Sequence, residues 1–137
     1  VLTNIGEAHA AARAAQLHAA GLPFAVVGNR GDKGPAVARL LARHQPDIAV
    51  FIDDLASNHA SVAQDAPQVW RLHFVGEPEM ALHVPAAPDA HVRLDDWPGA
   101  EHWITALLDE ADAVNTAMQG GQAPPALAGG AAHRHRS

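Results

Sequence analysis

Two adjacent carboxylates, Asp53 and Asp54, follow directly on the apolar run Ile48-Ala49-Val50-Phe51-Ile52. Paired carboxylates at the end of a buried strand repel one another and are partly desolvated. A hard divalent cation relieves that repulsion, and Mg²⁺ takes one or two carboxylates together with phosphate oxygens. Lys33 is the only lysine in a chain whose other basic residues are all arginine. It sits between glycines in Gly31-Asp32-Lys33-Gly34, ahead of a helical pattern. A lysine at a helix mouth supplies a point charge to a phosphate, assisted by the helix N-terminus. Thr3 and Asn4 follow the apolar pair Val1-Leu2, and a hydroxyl or side-chain amide there donates to a phosphoryl oxygen. The expected site is therefore phosphate-binding at Thr3, Asn4 and Lys33, and metal-binding at Asp53 and Asp54. The bland alternatives are a strand end with a turn at Asp53-Asp54, and a solvated lysine at Lys33.

These residues need strands that end at one edge. Val1-Leu2 reads as the end of a buried strand. Residues 7–20 are Ala-rich and read as a helix stopped by Gly21. Residues 24–27 are a short apolar run bounded by Pro23 and Gly28-Asn29, and read as a second buried strand. Pro35 suits the first turn of a helix whose Val37, Leu40, Leu41 and His44 share one face. The run 48–52 predicts a strand covered on both faces. Ser57 is the expected N-cap of the helix that follows, ending near Asp65. His59 either lines the site or lies on the exposed first turn of that helix. Residues 69–75 alternate, with Trp70, Leu72 and Phe74 opposite Arg71 and His73, which predicts a strand near an edge. Residues 91–94 read as extended, and 98–111 as a helix burying Trp103, Ile104, Leu107 and Leu108. Alternating strands and helices predict an α/β fold with a mainly parallel sheet. Ligands of such sheets bind beyond the carboxyl ends of the strands. Thr3-Asn4, Asn29 with the loop to Lys33, and Asp53-Asp54 all fall there.

The bulk numbers set limits. The chain has 137 residues, a formal charge of -6 and no cysteine, which rules out disulfides and thiolate chemistry. No basic patch suits a nucleic acid, and no apolar run reaches the ~20 residues that span a bilayer. A small phosphorylated molecule is the expected partner, and the cytoplasm the expected compartment. Residues 1–112 are expected to form the folded domain. Residues 113–137, rich in Gly, Ala and Pro, are expected to be a disordered tail.

With the strand ends in view, the chain resembles the haloacid-dehalogenase-type (HAD) hydrolases. VLTNI is similar to that superfamily's second motif, GDKG to its third, and IAVFIDDLASNHASV to its fourth. Order and spacing agree over residues 1–75. The resemblance implies a three-layer Rossmann-like fold and a Mg²⁺-dependent phosphomonoester hydrolase working through an aspartyl-phosphate. Thr3 would hydrogen-bond the phosphoryl group, Lys33 would neutralise it, and Asp53 with Asp54 would hold Mg²⁺. The first motif, a strand ending in the nucleophilic aspartate, has no counterpart here. The natural protein is therefore expected to be longer at its N-terminus, this chain to be inactive by itself, and the sheet to lack its central strand. The alternative is a non-catalytic α/β module that binds phosphate or another ligand and regulates.

Overall fold

Alanine carries the highest helix propensity, and the Ala-rich stretch after Gly6 forms α1 (Glu7–Ala19) in the computed structural model, which describes residues 1–119. Gly21 stops it at a φ of 78°, where the N–H of Leu22 returns to the carbonyl of Leu17 at 2.8 Å. The next helix, α2 (Gly34–His44), has Pro35 in its first turn. It ends on Gln45, which takes up a left-handed conformation at a φ of 45°. Val37 is buried and His44 is exposed, so the apolar stripe stops one turn short of the expected face.

All strand pairings are parallel, in two separate sheets. One pairs β1 (Leu2–Thr3) with β2 (Val27–Gly28). The other has the order β3 (Val50–Asp53), β4 (Trp70–His73), β5 (Val92–Arg93). The chain is thus α/β, with its parallel sheet split between β1 and β3. Strand β4, expected near an edge, is the middle strand of its sheet, because Val92 and Arg93 pair with Leu72 and His73. Strand β2 is shorter than the predicted run, and Phe24 is 59% exposed. The run at β3 is covered on one face only. Phe51 and Asp53 are buried, whereas Ile52 between them is 37% exposed.

Between the free edges of β1 and β3 lies an apolar slot of about 550 Å³, lined by Val1, Leu2, Leu40, Leu41 and residues 49–52. The peptide groups of residues 1 and 3 serve the β2 ladder, through Val27 N–H to Val1 O and Asn29 N–H to Thr3 O. Those of residues 49 and 53 serve β4. By alternation, Leu2, Val50 and Ile52 turn their peptide groups toward the slot.

Helix α3 (Ala56–Asp65) packs with α2 over β3. Val37, Phe51, Val62, Ala66 and Val69 form the core, with Leu2, Leu41 and Ala49 against it. Burying a side chain such as Val62 or Leu72 contributes on the order of 1.5–3 kcal/mol. Ser57 is not the cap of α3. The cap is two residues earlier, at Leu55, with Ala56 the first helical residue, and the Asp53 carboxylate takes the Leu55 N–H.

A short α4 (Pro78–Ala81) precedes β5. Helix α5 (Trp97–Gln119) runs past the expected domain boundary at 112. The chain divides into Val1–Ala100 and Glu101–Ser137. In the second unit Trp103, Ile104 and Leu107 are half-buried, while Leu108 is 44% exposed. The remainder of the expected tail, 120–137, lies outside the described residues. No helix among the described residues is long and apolar enough to cross a membrane.

Candidate functional site

Strand β3 delivers Asp53 into a buried position, and α2 delivers Lys33 from its N-terminal side. Lys33 Nζ lies 2.6 Å from Asp53 Oδ2, with side chains 15% and 5% exposed. Residues 20 positions apart in the chain are thereby joined. Gly34 makes the approach possible. A Cβ there would run into the carbonyl oxygen of Ser61 and the carboxylate of Asp65. Its N–H donates to Ser61 Oγ at 2.8 Å, so α2 begins directly against α3.

The other oxygen of Asp53 accepts from Leu55 N–H and from Asn58 Nδ2, each at 2.9 Å. Burial opposes ionisation of Asp53. The hydrogen bonds from Lys33, Asn58 and Leu55, with the charge of Lys33, outweigh it and hold the carboxyl below the usual aspartate range. Asp54 differs in every respect. It is exposed, has no side-chain partner among the described residues, and lines an open cavity of about 500 Å³ with Asp53, Phe74, Glu77 and Trp97.

Thr3 and Asn4 are tied to the Lys33 loop through Asn29, which is 9% exposed. The Asn29 N–H donates to Thr3 O at 2.8 Å. Its side-chain amide donates to Asn4 Oδ1 at 3.0 Å and to the carbonyls of Gly31 and Asp32 at 3.1 and 3.2 Å. Asn4 accepts through Oδ1, and its own amide N–H groups have no partner among the described residues. Thr3-Asn4 and Asp53-Asp54 thus lie at the carboxyl ends of β1 and β3, and Lys33, at the end of the loop that follows β2, contacts Asp53 directly.

The pattern of residue types missed Asn58 and the role of His73, and left His59 open between the site and an exposed turn. His59 is not on an exposed turn: it is wholly buried, as is His73. His59 Nε2 contacts Asp53 O at 3.0 Å, and His73 Nε2 contacts Asp54 O at 2.9 Å. The one signal for Asn58 and His59 was their place on the first turn after the acidic pair.

Among the described residues, no three His, Asp or Glu side chains gather as a metal cluster. Mg²⁺ asks for less, since one or two carboxylates suffice when phosphate and water supply the other oxygens. Asp54 offers both oxygens. Asp53 offers only the part of Oδ2 that Lys33 leaves. The donor set fits Mg²⁺ on those terms, with Asp54 the more available ligand. The chain matches no protein-family model, no curated protein and no solved structure.

Proposed function

We propose that the chain is the carboxyl-terminal part of a HAD-type, Rossmann-like core domain, from a Mg²⁺-dependent phosphomonoester hydrolase. The slot between β1 and β3 then receives a further parallel strand that brings the nucleophilic aspartate. One observation carries the reading: Thr3-Asn4 and the acidic pair follow β1 and β3 on either side of a slot edged by the unpaired sides of those two strands, and Lys33 contacts Asp53 there.

The residues then divide the work. Thr3 Oγ and the Asn4 amide donate to phosphoryl oxygens. Lys33 is held against Asp53 until a phosphate dianion competes for its charge. Its short tether keeps that charge where the phosphoryl group must sit. Asp54, with the part of Asp53 that Lys33 leaves, would hold Mg²⁺, which would supply charge neutralisation. The aspartate of the added strand attacks phosphorus, expels the alcohol, and is freed by water. A chain without cysteine suits a reducing compartment, and we place the enzyme in the cytoplasm.

The test is phosphate release from 4-nitrophenyl phosphate by the natural full-length protein, with and without Mg²⁺. Asp53→Asn and Lys33→Ala are each expected to lower turnover by about 100-fold or more. Unchanged turnover in both sinks the assignment. The 137-residue chain by itself is expected to release none.

A further inference from the structure

Five side chains are the largest of those wholly buried, and two of them are histidines, His59 and His73. An apolar residue of similar size fills such a place without a polar group to satisfy. Both imidazoles instead face the backbone of the acidic pair. A carbonyl oxygen only accepts, so Nε2 carries the proton in each ring.

The two carbonyls are not held equally. Asp53 O receives His59 Nε2 and also the Phe74 N–H, at 3.0 Å. Asp54 O receives His73 alone among the described residues. Its peptide unit continues into the Leu55 N–H, which donates to Asp53 Oδ1. The Asp54–Leu55 peptide is therefore gripped at one end by His73 and at the other by the Asp53 carboxylate. On the far side of its ring, His73 Nδ1 accepts the Ala87 N–H at 3.0 Å. Arg93 braces the segment before Ala87 through the carbonyls of Val84 and Ala81, at 2.9 and 3.2 Å. Imidazole is the side chain that accepts at one ring edge and donates at the other. Packing alone requires neither.

We infer that His73 is a positioning residue that fixes the Asp54–Leu55 peptide, so that Asp53 faces Lys33 while Asp54 faces the open cavity. The inference rests on the reading of Asp53-Asp54 as the metal-holding pair. Without His73, the peptide keeps only the Leu55 hydrogen bond to Asp53, and rotation against that single anchor redirects Asp54 and loosens the hold on Asp53. His59 is the lesser partner, because Asp53 O keeps the Phe74 donor without it. Its Nδ1 is buried with no partner among the described residues.

Two substitutions separate the contacts of His73. His73→Asn places an acceptor near Nδ1 and loses the donor to Asp54. His73→Gln carries an N–H out to the Nε2 position. Two readouts are taken on the 137-residue chain: hydrogen exchange of the Leu55 amide, and affinity for Mn²⁺ as a probe of the cation site. Expected for His73→Asn are about tenfold faster Leu55 exchange and about 10- to 100-fold weaker Mn²⁺ binding, both largely restored in His73→Gln. Asp54→Asn is the control on the metal reading. If it leaves Mn²⁺ affinity intact while the exchange results hold, the clamp stands and the metal assignment falls. Leu55 exchange that is unchanged in His73→Asn, or equally fast in both His73 variants, overturns the inference.

Discussion

Lys33 Nζ and Asp53 Oδ2 meet at 2.6 Å, and neither side chain is more than 15% exposed. A buried pair of this kind is far more sensitive to loss of one partner than to loss of both. Removing Lys33 leaves a charged carboxylate out of water, with only Asn58 and Leu55 to hold it. Lys33→Met is expected to cost about 3–5 kcal/mol, read from urea unfolding at neutral pH. Lys33→Met combined with Asp53→Asn is expected to recover most of that loss. A single-variant cost below about 1 kcal/mol would place the pair in the surface class and deny Asp53 its role as the lysine's tether.

Acid acts on the fold in two windows. Burial, ahead of all other causes, holds His59 below the usual histidine range, and His91 likewise, with Arg71 adding to the effect there. The unfolded chain therefore takes up protons first. Stability is at its full value above about pH 6.5 and declines as pH falls through the depressed folded-state pKa values. Asp53 is also depressed, so its contribution is intact above about pH 3.9 and is lost as pH falls further. Urea midpoints measured across pH 3 to 8 are expected to show both declines. Asp53→Asn should remove part of the lower one and leave the upper one in place.

Gly34 is held by space rather than by backbone angle. A methyl group at this position overlaps the Ser61 carbonyl oxygen, which is backbone and cannot swing away. Gly34→Ala is expected to destabilise by about 1–3 kcal/mol and to push the start of α2 off α3. Ser61→Ala removes the hydroxyl, which is both the partner of the Gly34 N–H and one of the atoms an added Cβ would meet, but it leaves the overlap with the backbone carbonyl, so it should not rescue Gly34→Ala. The displaced Lys33 should then be visible as a rise in the Asp53 pKa, followed through its carboxyl carbon resonance. Rescue by Ser61→Ala would locate the conflict in the side chain instead.

The strand ends were legible because a polar residue after an apolar run has few other places to go. Asp53-Asp54 after Phe51-Ile52 and Asn29 after Val27-Gly28 are of this kind. Position along a strand says less about cover. Ile52 is an apolar residue in a strongly apolar run, yet it is more than a third exposed. Its cover depends on what fills the slot beside it, not on its own type. His73 was assigned to a polar face by alternation with Leu72. Burial of both follows from β5 and the segment at Ala87, whose pairing has no local signature. The residues that clamp the acidic pair were hidden for a related reason. Their partners are main-chain carbonyls, which every sequence possesses and none advertises.

The slot makes the last prediction. Phe51 and Asp53 direct their peptide groups to β4, whereas Val50 and Ile52, like Leu2, direct theirs toward the space between the two sheets. An edge strand left open in this way exchanges its outward amides readily. In the 137-residue chain, the Val50 and Ile52 amides are expected to exchange much faster than those of Phe51 and Asp53, in a strict every-other-residue pattern. A form of the protein that carries the proposed strand should slow Leu2, Val50 and Ile52 together, since one inserted parallel strand bonds to both edges at once. Slowing of Val50 and Ile52 without Leu2 would mean that the added segment extends the larger sheet alone and does not bridge the two. The aspartate at its end would then arrive beside Asp53 but away from Thr3, which the proposed phosphoryl transfer does not allow.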